Sequence, residues 1–379
     1  MIVRAGSVLT GREFLRPGWL EISGSTIVAV GSGDPPRTAD TDAGETAVIV
    51  PGFVDTHVHG GGGASFSGEP DRVTEAVLLH RRHGTTTMVA SLVTESPSDL
   101  LRQVRELAGL VSAGVVAGIH LEGPWLAESR CGAHDPALLR DPDPAELDRV
   151  FGAAGGTIRM VTFAPERAGA LAAIRRVVDT GAVAAIGHTD ATYAEAGAAI
   201  AAGATVATHL FNAMRPIHHR EPGPVIAALE DPRVTVEIIA DGVHVDPALY
   251  RHVTRSAGPG RVSLVTDAMA AAGMADGRYR IGPLAVDVTD GVAHLAGTDT
   301  IAGSTATMDR LFRFAVQHCG RPRDDALHTA VLQSSVNPAR ALGLPDPTLA
   351  PGNSADLVIL NNDLAVTGVI HRGEPVSTV

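Results

Sequence analysis

The chain has 379 residues and 45% hydrophobic content, enough for one large barrel or two ordinary domains around a sizeable core. Its formal net charge is -12 and all 30 basic residues are arginines, so no basic surface is available to displace phosphate counterions, and nucleic acid is excluded as a partner. Cys131 and Cys319 form no spaced framework and no uncharged run is long enough to span a bilayer, which predicts a reducing, cytoplasmic setting with no membrane partner.

Residues 1–50 contain short alternating runs such as GWLEISGSTIVAVG, broken by Gly, Pro and Asp, the pattern of hairpins on a small sheet. SADLVILN and GVIHRGEPV repeat that character near the other end. Neither piece alone buries both faces of a sheet, so residues 1–50 and 346–379 are predicted to form one small β-sandwich domain from both termini.

Between them, over residues 51–345, apolar runs alternate with Ala-, Leu- and Arg-rich segments of helical period. The predicted strands are GFVDTHVH, TTTMVAS, VVAGIHLEG, IRMVTFAP, VAAIGHTD, TVATHLFN, VTVEIIADG and RVSLVTDAM. Eight is the number that closes a (β/α)8 TIM-type barrel, so the predicted class is α/β. Residues 278–295, RYRIGPLAVDVTDGVAHL, read as a hairpin inserted after the eighth strand.

In such a barrel the chemistry sits at the C-terminal strand ends. Those ends carry His57 and His59 on the first strand, Glu122 on the third, His188 on the fifth, His209 on the sixth, His244 on the seventh and Asp267 on the eighth. His57 and His59 point the same way on an extended strand, a spacing compatible with a shared ion or with an ordinary buried strand. Glu122, before Gly123 and Pro124, fits either a ligand or a helix-capping acid. Taken together, two histidines and a carboxylate make a three-ligand set with a position left for water, the layout of a catalytic metal site. Asp267 in LVTDAM is then the acceptor for the proton of that water, and the alternative for it is a helix cap. Arg220, flanked by His218 and His219, makes a local cationic cluster suited to a phosphate or, alternatively, a solvated basic loop.

The motifs PGFVDTHVHG, HLEGPWL, GHTDA, THLFNAM, DGVHV, LVTDAM and AGS, in this order, resemble the N-acetylglucosamine-6-phosphate deacetylase family of the amidohydrolase superfamily. The resemblance runs from Pro51 to the NPAR of residues 337–340. It implies hydrolysis of an acetamide on an amino-sugar phosphate to release acetate, with metal-activated water attacking the carbonyl and Asp267 as acid and base. It further implies Glu122, His188 and His209 as principal metal ligands, and His57 and His59 as the pair completing a second, optional site. The ion is expected to be Zn2+, with Fe2+ or Co2+ as alternatives, one or two per subunit. His134 is implied to hydrogen-bond the substrate carbonyl, and Asn212, Ala213, Arg220, His244, Ala302 and Gly303 to surround the sugar phosphate. Arg220 is implied to reach the neighbouring subunit's site in a homodimer.

Rival readings differ in testable residues. A cyclic amidase with a carbamylated-lysine bridge is excluded because the chain has no lysine. A deaminase has no need of Glu122 as a ligand. A deacetylase of another acylamino sugar phosphate, and a catalytically silent metal-binding barrel, remain as alternatives. Cys131 lies in AESRCGAHDP, which reads as a lid carrying His134, with either an inert or a redox-active thiol.

Overall fold

The structure, a computed structural model, describes residues 1–377. Eight parallel strands pair in strict sequence order: Phe53–Val58, Thr85–Leu92, Gly118–Glu122, Ile158–Phe163, Val183–Ile186, Ala204–Ala207, Thr235–Ile238 and Val262–Leu264. Each is an apolar run buried on both faces, as strands covered by outer helices must be. This is the (β/α)8 barrel expected from the sequence.

Among the described residues the first and eighth strands share no ladder pairing. The circle is joined instead at the mouth, where Asp267 N donates to His57 O at 2.8 Å and His59 N to Ala268 O at 2.8 Å. Beneath these bonds the buried Asp55 carboxylate accepts from Thr266 N and Thr266 Oγ1. Burial dominates at Asp55 and raises its pKa to about 7 despite those hydrogen bonds.

The outer helices follow local signals. Pro144–Ala154 starts on Asp143, whose carboxylate accepts from Ala145 N and Glu146 N, with Pro144 in its first turn. Its buried face is Leu147, Val150 and Ala154, spaced for one side of a helix. Burying Leu or Val there contributes roughly 1.5–3 kcal/mol each.

Both chain ends join in two further sheets. One has four strands, Ile2–Ala5, Gly18–Ser23, Thr26–Ser32 and Thr41–Asp42. The other has six, and in it Val48–Pro51 pairs antiparallel with Leu357–Leu360. Val3, Leu20 and Ile27 of the first sheet share one apolar cluster with Val8, Ile49, Leu357 and Ile370 of the second. The last two residues of the expected 346–379 segment lie outside the described residues.

The hairpin expected at 278–295 is instead a three-stranded antiparallel meander, Gly277–Ile281, Leu284–Thr289 and Val292–Leu295. The extra reversal is made by Asp290 and Gly291, both at positive φ (52° and 74°), between the paired Thr289 and Val292. An Asp-Gly dipeptide is a two-residue hairpin signal, and it adds a second turn to the single one of the expected hairpin.

Candidate metal centre

The mouth of the barrel gathers residues from five of its strands. His57 and His59 leave the first strand on the same side, and their Nε2 atoms stand 3.2 Å apart. Glu122 ends the third strand, with Oε1 at 3.0 Å from His188 Nε2 and 2.9 Å from His209 Nε2. Its other oxygen is 3.1 Å from His59 Nε2, so the carboxylate lies between both histidine pairs. Asp267 Oδ1 reaches His59 Nε2 at 3.2 Å and His57 Nε2 at 3.5 Å. All these side chains are buried.

Three of these residues have backbone that side chains rarely adopt: φ is 46° at His188, 26° at His209 and 48° at Asp267. Each such residue costs on the order of 1–3 kcal/mol, so the strand exits hold strain that the surrounding barrel maintains. At Asp267 the support comes from the segment after the meander, where Ser304 N donates to Asp267 O at 2.7 Å. Gly303, at φ 64°, is pressed so close that a Cβ there would stand 2.9 Å from Asp267 O.

The donor set fits a divalent cation. His57 faces His59, and His188 faces His209 at 3.1 Å, nitrogen to nitrogen, so four imidazole nitrogens converge on one carboxylate, a donor set suited to a cation. The outer Nδ1 atoms of His59 and His209 are buried without partners, and His188 Nδ1 is 2.9 Å from Arg130 O. Electrostatics point the same way. Burial alone raises a carboxylate's pKa, yet the imidazoles around Glu122 and Asp267 reverse this, holding Glu122 well below its usual range and Asp267 at about 2. Burial likewise opposes a charged His57, and the Glu122 and Asp267 carboxylates override it, raising His57 well above its ordinary value. Two buried anions call for positive charge in the cluster, from a protonated imidazole or from a metal ion.

His134 comes from the segment over the mouth and has a defined tautomer. Burial, then the neighbouring His188, lowers its pKa to about 4, so the ring is neutral. Thr94 N donates to its Nδ1 at 3.2 Å, which leaves the proton on Nε2. That Nε2–H points to the cluster, 3.4 Å from Glu122 Oε2, and is a hydrogen-bond donor.

A cavity of about 520 Å3 opens from this cluster and is lined by Glu122, His134, His188, His209 and Asp267, and further out by Asn212, Ala213, His244 and Gly303. Cys131 and Arg130 of the covering segment also line it. Its size suits a small organic substrate. Two expected substrate contacts lie elsewhere. Ala302 is buried in the apolar core of the meander, its N–H donating to Ala293 O, and Arg220 is exposed on the His218–Glu221 turn outside the cavity.

Sequence reasoning missed the residues that stand behind the site. Asp241 accepts from His244 Nδ1 at 2.8 Å, Thr94 fixes His134, and Asp190 holds Arg130 at 2.7 Å. Only Asp241, three residues before its histidine in DGVH, had a local signal.

A carboxylate set between two imidazole pairs, at the C-terminal mouth of an eight-stranded parallel barrel, defines a metal-dependent hydrolase of the (β/α)8 class. The Amidohydrolase family model matches residues 48–376, and the chain belongs to that family. It is similar to the N-acetyl-D-glucosamine-6-phosphate deacetylase of Mycobacterium smegmatis, whose D267A mutant has been solved in complex with N-acetyl-D-glucosamine-6-phosphate. The likeness there is 65% identity and a TM-score of 0.98, covering 100% of this chain and 99% of that one. An N-acetylgalactosamine-6-phosphate deacetylase of Escherichia coli O157:H7 is 35% identical, with 98% of each chain covered. Human N-acetylglucosamine-6-phosphate deacetylase is 36% identical over 86% of this chain and 83% of its own length.

Proposed function

We propose that this chain is an amidohydrolase that removes acetate from N-acetylglucosamine 6-phosphate, leaving glucosamine 6-phosphate. The observation that carries the reading is that the buried Glu122 and histidine cluster, Asp267 and His134 all open onto one cavity. The named relatives support the substrate, and the Mycobacterium smegmatis complex above supports it most directly.

Glu122, His188 and His209 would hold the principal ion, and His57 and His59, sharing Glu122, a second. Zinc is the ion proposed, with Fe2+ or Co2+ as alternatives. A bound divalent ion supplies Lewis-acid polarisation of the acetamide oxygen and lowers the pKa of water towards ~7. Asp267, held ionised, accepts the proton of the attacking water at its carboxylate. It returns that proton to the amine nitrogen as the C–N bond breaks. His134 donates its Nε2–H to the acetyl oxygen, where negative charge accumulates. His244, oriented by Asp241, and Asn212 and Ala213 face the sugar phosphate along the cavity. Arg220, exposed and outside its own cavity, serves the partner's site in a homodimer. The enzyme works in the cytoplasm, in keeping with its two free cysteines and with the lack, among the described residues, of a helix long and apolar enough to cross a membrane.

The test is acetate release from N-acetylglucosamine 6-phosphate, its unphosphorylated sugar and N-acetylgalactosamine 6-phosphate, with bound metal counted in the same preparation. Turnover restricted to the first is expected. Equal turnover of the unphosphorylated sugar removes the phosphate role of Arg220 and His244, and no release from any supports a silent barrel. The Escherichia coli relative favours one second reading, in which the 4-epimer is the better substrate.

A further inference from the structure

We infer that Glu237 is a positioning residue for His57, and that through it the chain is built to hold an ion at the His57 and His59 pair as well as at Glu122, His188 and His209. The inference rests on the metal-centre reading above. Glu237 lies inside the seventh barrel strand, Thr235–Ile238, and is 2% exposed. Its side-chain partners are two: Oε2 is 3.4 Å from His57 Nδ1, and Oε1 accepts from Thr56 Oγ1 at 3.3 Å. Among the described residues no arginine pairs with it. A carboxylate buried in a barrel with so little compensation is costly unless its partner makes use of the charge.

His57 makes that use. With its proton on Nδ1, facing Glu237, the ring presents the Nε2 lone pair to His59, Glu122 and Asp267, all within 3.5 Å. Carboxylate, imidazole and metal in line is the arrangement that fixes a ligand's tautomer and orientation and strengthens it as a donor. The other rings of the cluster differ in this respect. His188 has only the Arg130 carbonyl behind it, and the outer nitrogens of His59 and His209 have no partner. Among the four imidazoles His57, His59, His188 and His209, a carboxylate thus faces the outer nitrogen of His57 alone, in the pair that a one-ion enzyme does not need. On the opposite side the His57 ring meets the edge of His120 at 4.5 Å between centroids. His120 is itself held by Ser91 and Thr162, so the His57 ring packs against a fixed neighbour.

The experiment counts metal by mass spectrometry during chelator titration of the full chain and of Glu237→Gln, His57→Gln and the double variant. Wild type is expected to release two ions in two steps. Glu237→Gln should release the weaker ion at about 10–100-fold lower chelator concentration, with the tighter ion unmoved. Adding Glu237→Gln to His57→Gln should change nothing further, because the effect passes through that ring. An unchanged weak-ion step in Glu237→Gln, equal weakening of both ions, or additive effects in the double variant each overturn the role of Glu237. Wild type that binds no metal overturns the metal centre itself. Should Glu237→Gln fail to fold, Thr56→Val removes the other contact of the carboxylate, and a weak-ion step unmoved in that variant overturns the inference equally.

Discussion

The Nε2 atoms of His188 and His209 stand 3.1 Å apart, and each is within 3.0 Å of the same oxygen of Glu122. Both nitrogens therefore converge on one point beside the Glu122 carboxylate, where the principal ion is proposed. His209→Ala removes one donor of that set. It is expected to lower metal affinity by more than the ~10–100-fold typical of an outer partner. Metal analysis after dialysis checks this, and full metal retention argues against His209 as a ligand.

Asp267 is ionised by its imidazole neighbours and sits at the cavity wall. Asp267→Asn keeps the shape and removes the proton acceptor. Turnover should fall by roughly 10^2–10^4-fold, the usual worth of a general base, while the dissociation constant for substrate changes little. Turnover near wild type in this variant eliminates the acid–base assignment.

Gly303 predicts a subtler effect. A methyl group there meets the carbonyl of Asp267 at 2.9 Å, and the φ of 64° disfavours any side chain. Gly303→Ala should therefore displace Asp267 while leaving the imidazole cluster intact. Metal content is expected to stay normal and kcat to fall, on the order of 10^2-fold for a shift near 1 Å. Metal loss in parallel with kcat indicates general disruption instead.

The acid limb of stability has a specific contributor away from the site. Asp309 begins the Met308–His318 helix and meets His83 Nδ1 at 3.2 Å, just past the end of the Pro70–Arg82 helix. Burial raises its pKa, but hydrogen bonds from His83 and Thr307 outweigh that, and the net shift is down from 3.8. A depressed carboxylate stabilises the fold above its unfolded pKa and loses that contribution as pH falls through the folded value. Asp309→Asn should thus be less stable than wild type at pH 6, with the gap closing below about pH 4. Urea unfolding across pH 3–7 tests it, and a gap that widens in acid contradicts the sign.

The sequence made the strand exits legible because each apolar run ends in a polar residue where a barrel opens. That is how His57, His188, His209 and Asp267 stand out. It could not show what lies behind them. Glu237 is 180 positions from His57, and within VTVEII it reads only as an alternating strand residue. The left-handed backbone at His188, His209 and Asp267 also had no signal, since nothing but tertiary packing forces histidine or aspartate there. The meander was missed for the opposite reason: its Asp-Gly signal was present, but the segment was read as a hairpin with a single turn. Arg220 was legible as an exposed cation, but no signal in the sequence says which cavity it faces.

The barrel's join has a consequence for how the enzyme comes apart. Asp55 and Thr266, bonded beneath the mouth, are 211 positions apart in the chain, and no ladder pairing between the first and last barrel strands reinforces them. His57 and His59 lie on one side of that join and Asp267 on the other. An ion bound by His57 and His59 with Glu122, as proposed above, would stabilise the folded barrel beside that join, because the site exists only in the folded chain. Stripping it would loosen the closure of the whole cylinder as well as its chemistry, so metal starvation and thermal fragility become one phenotype.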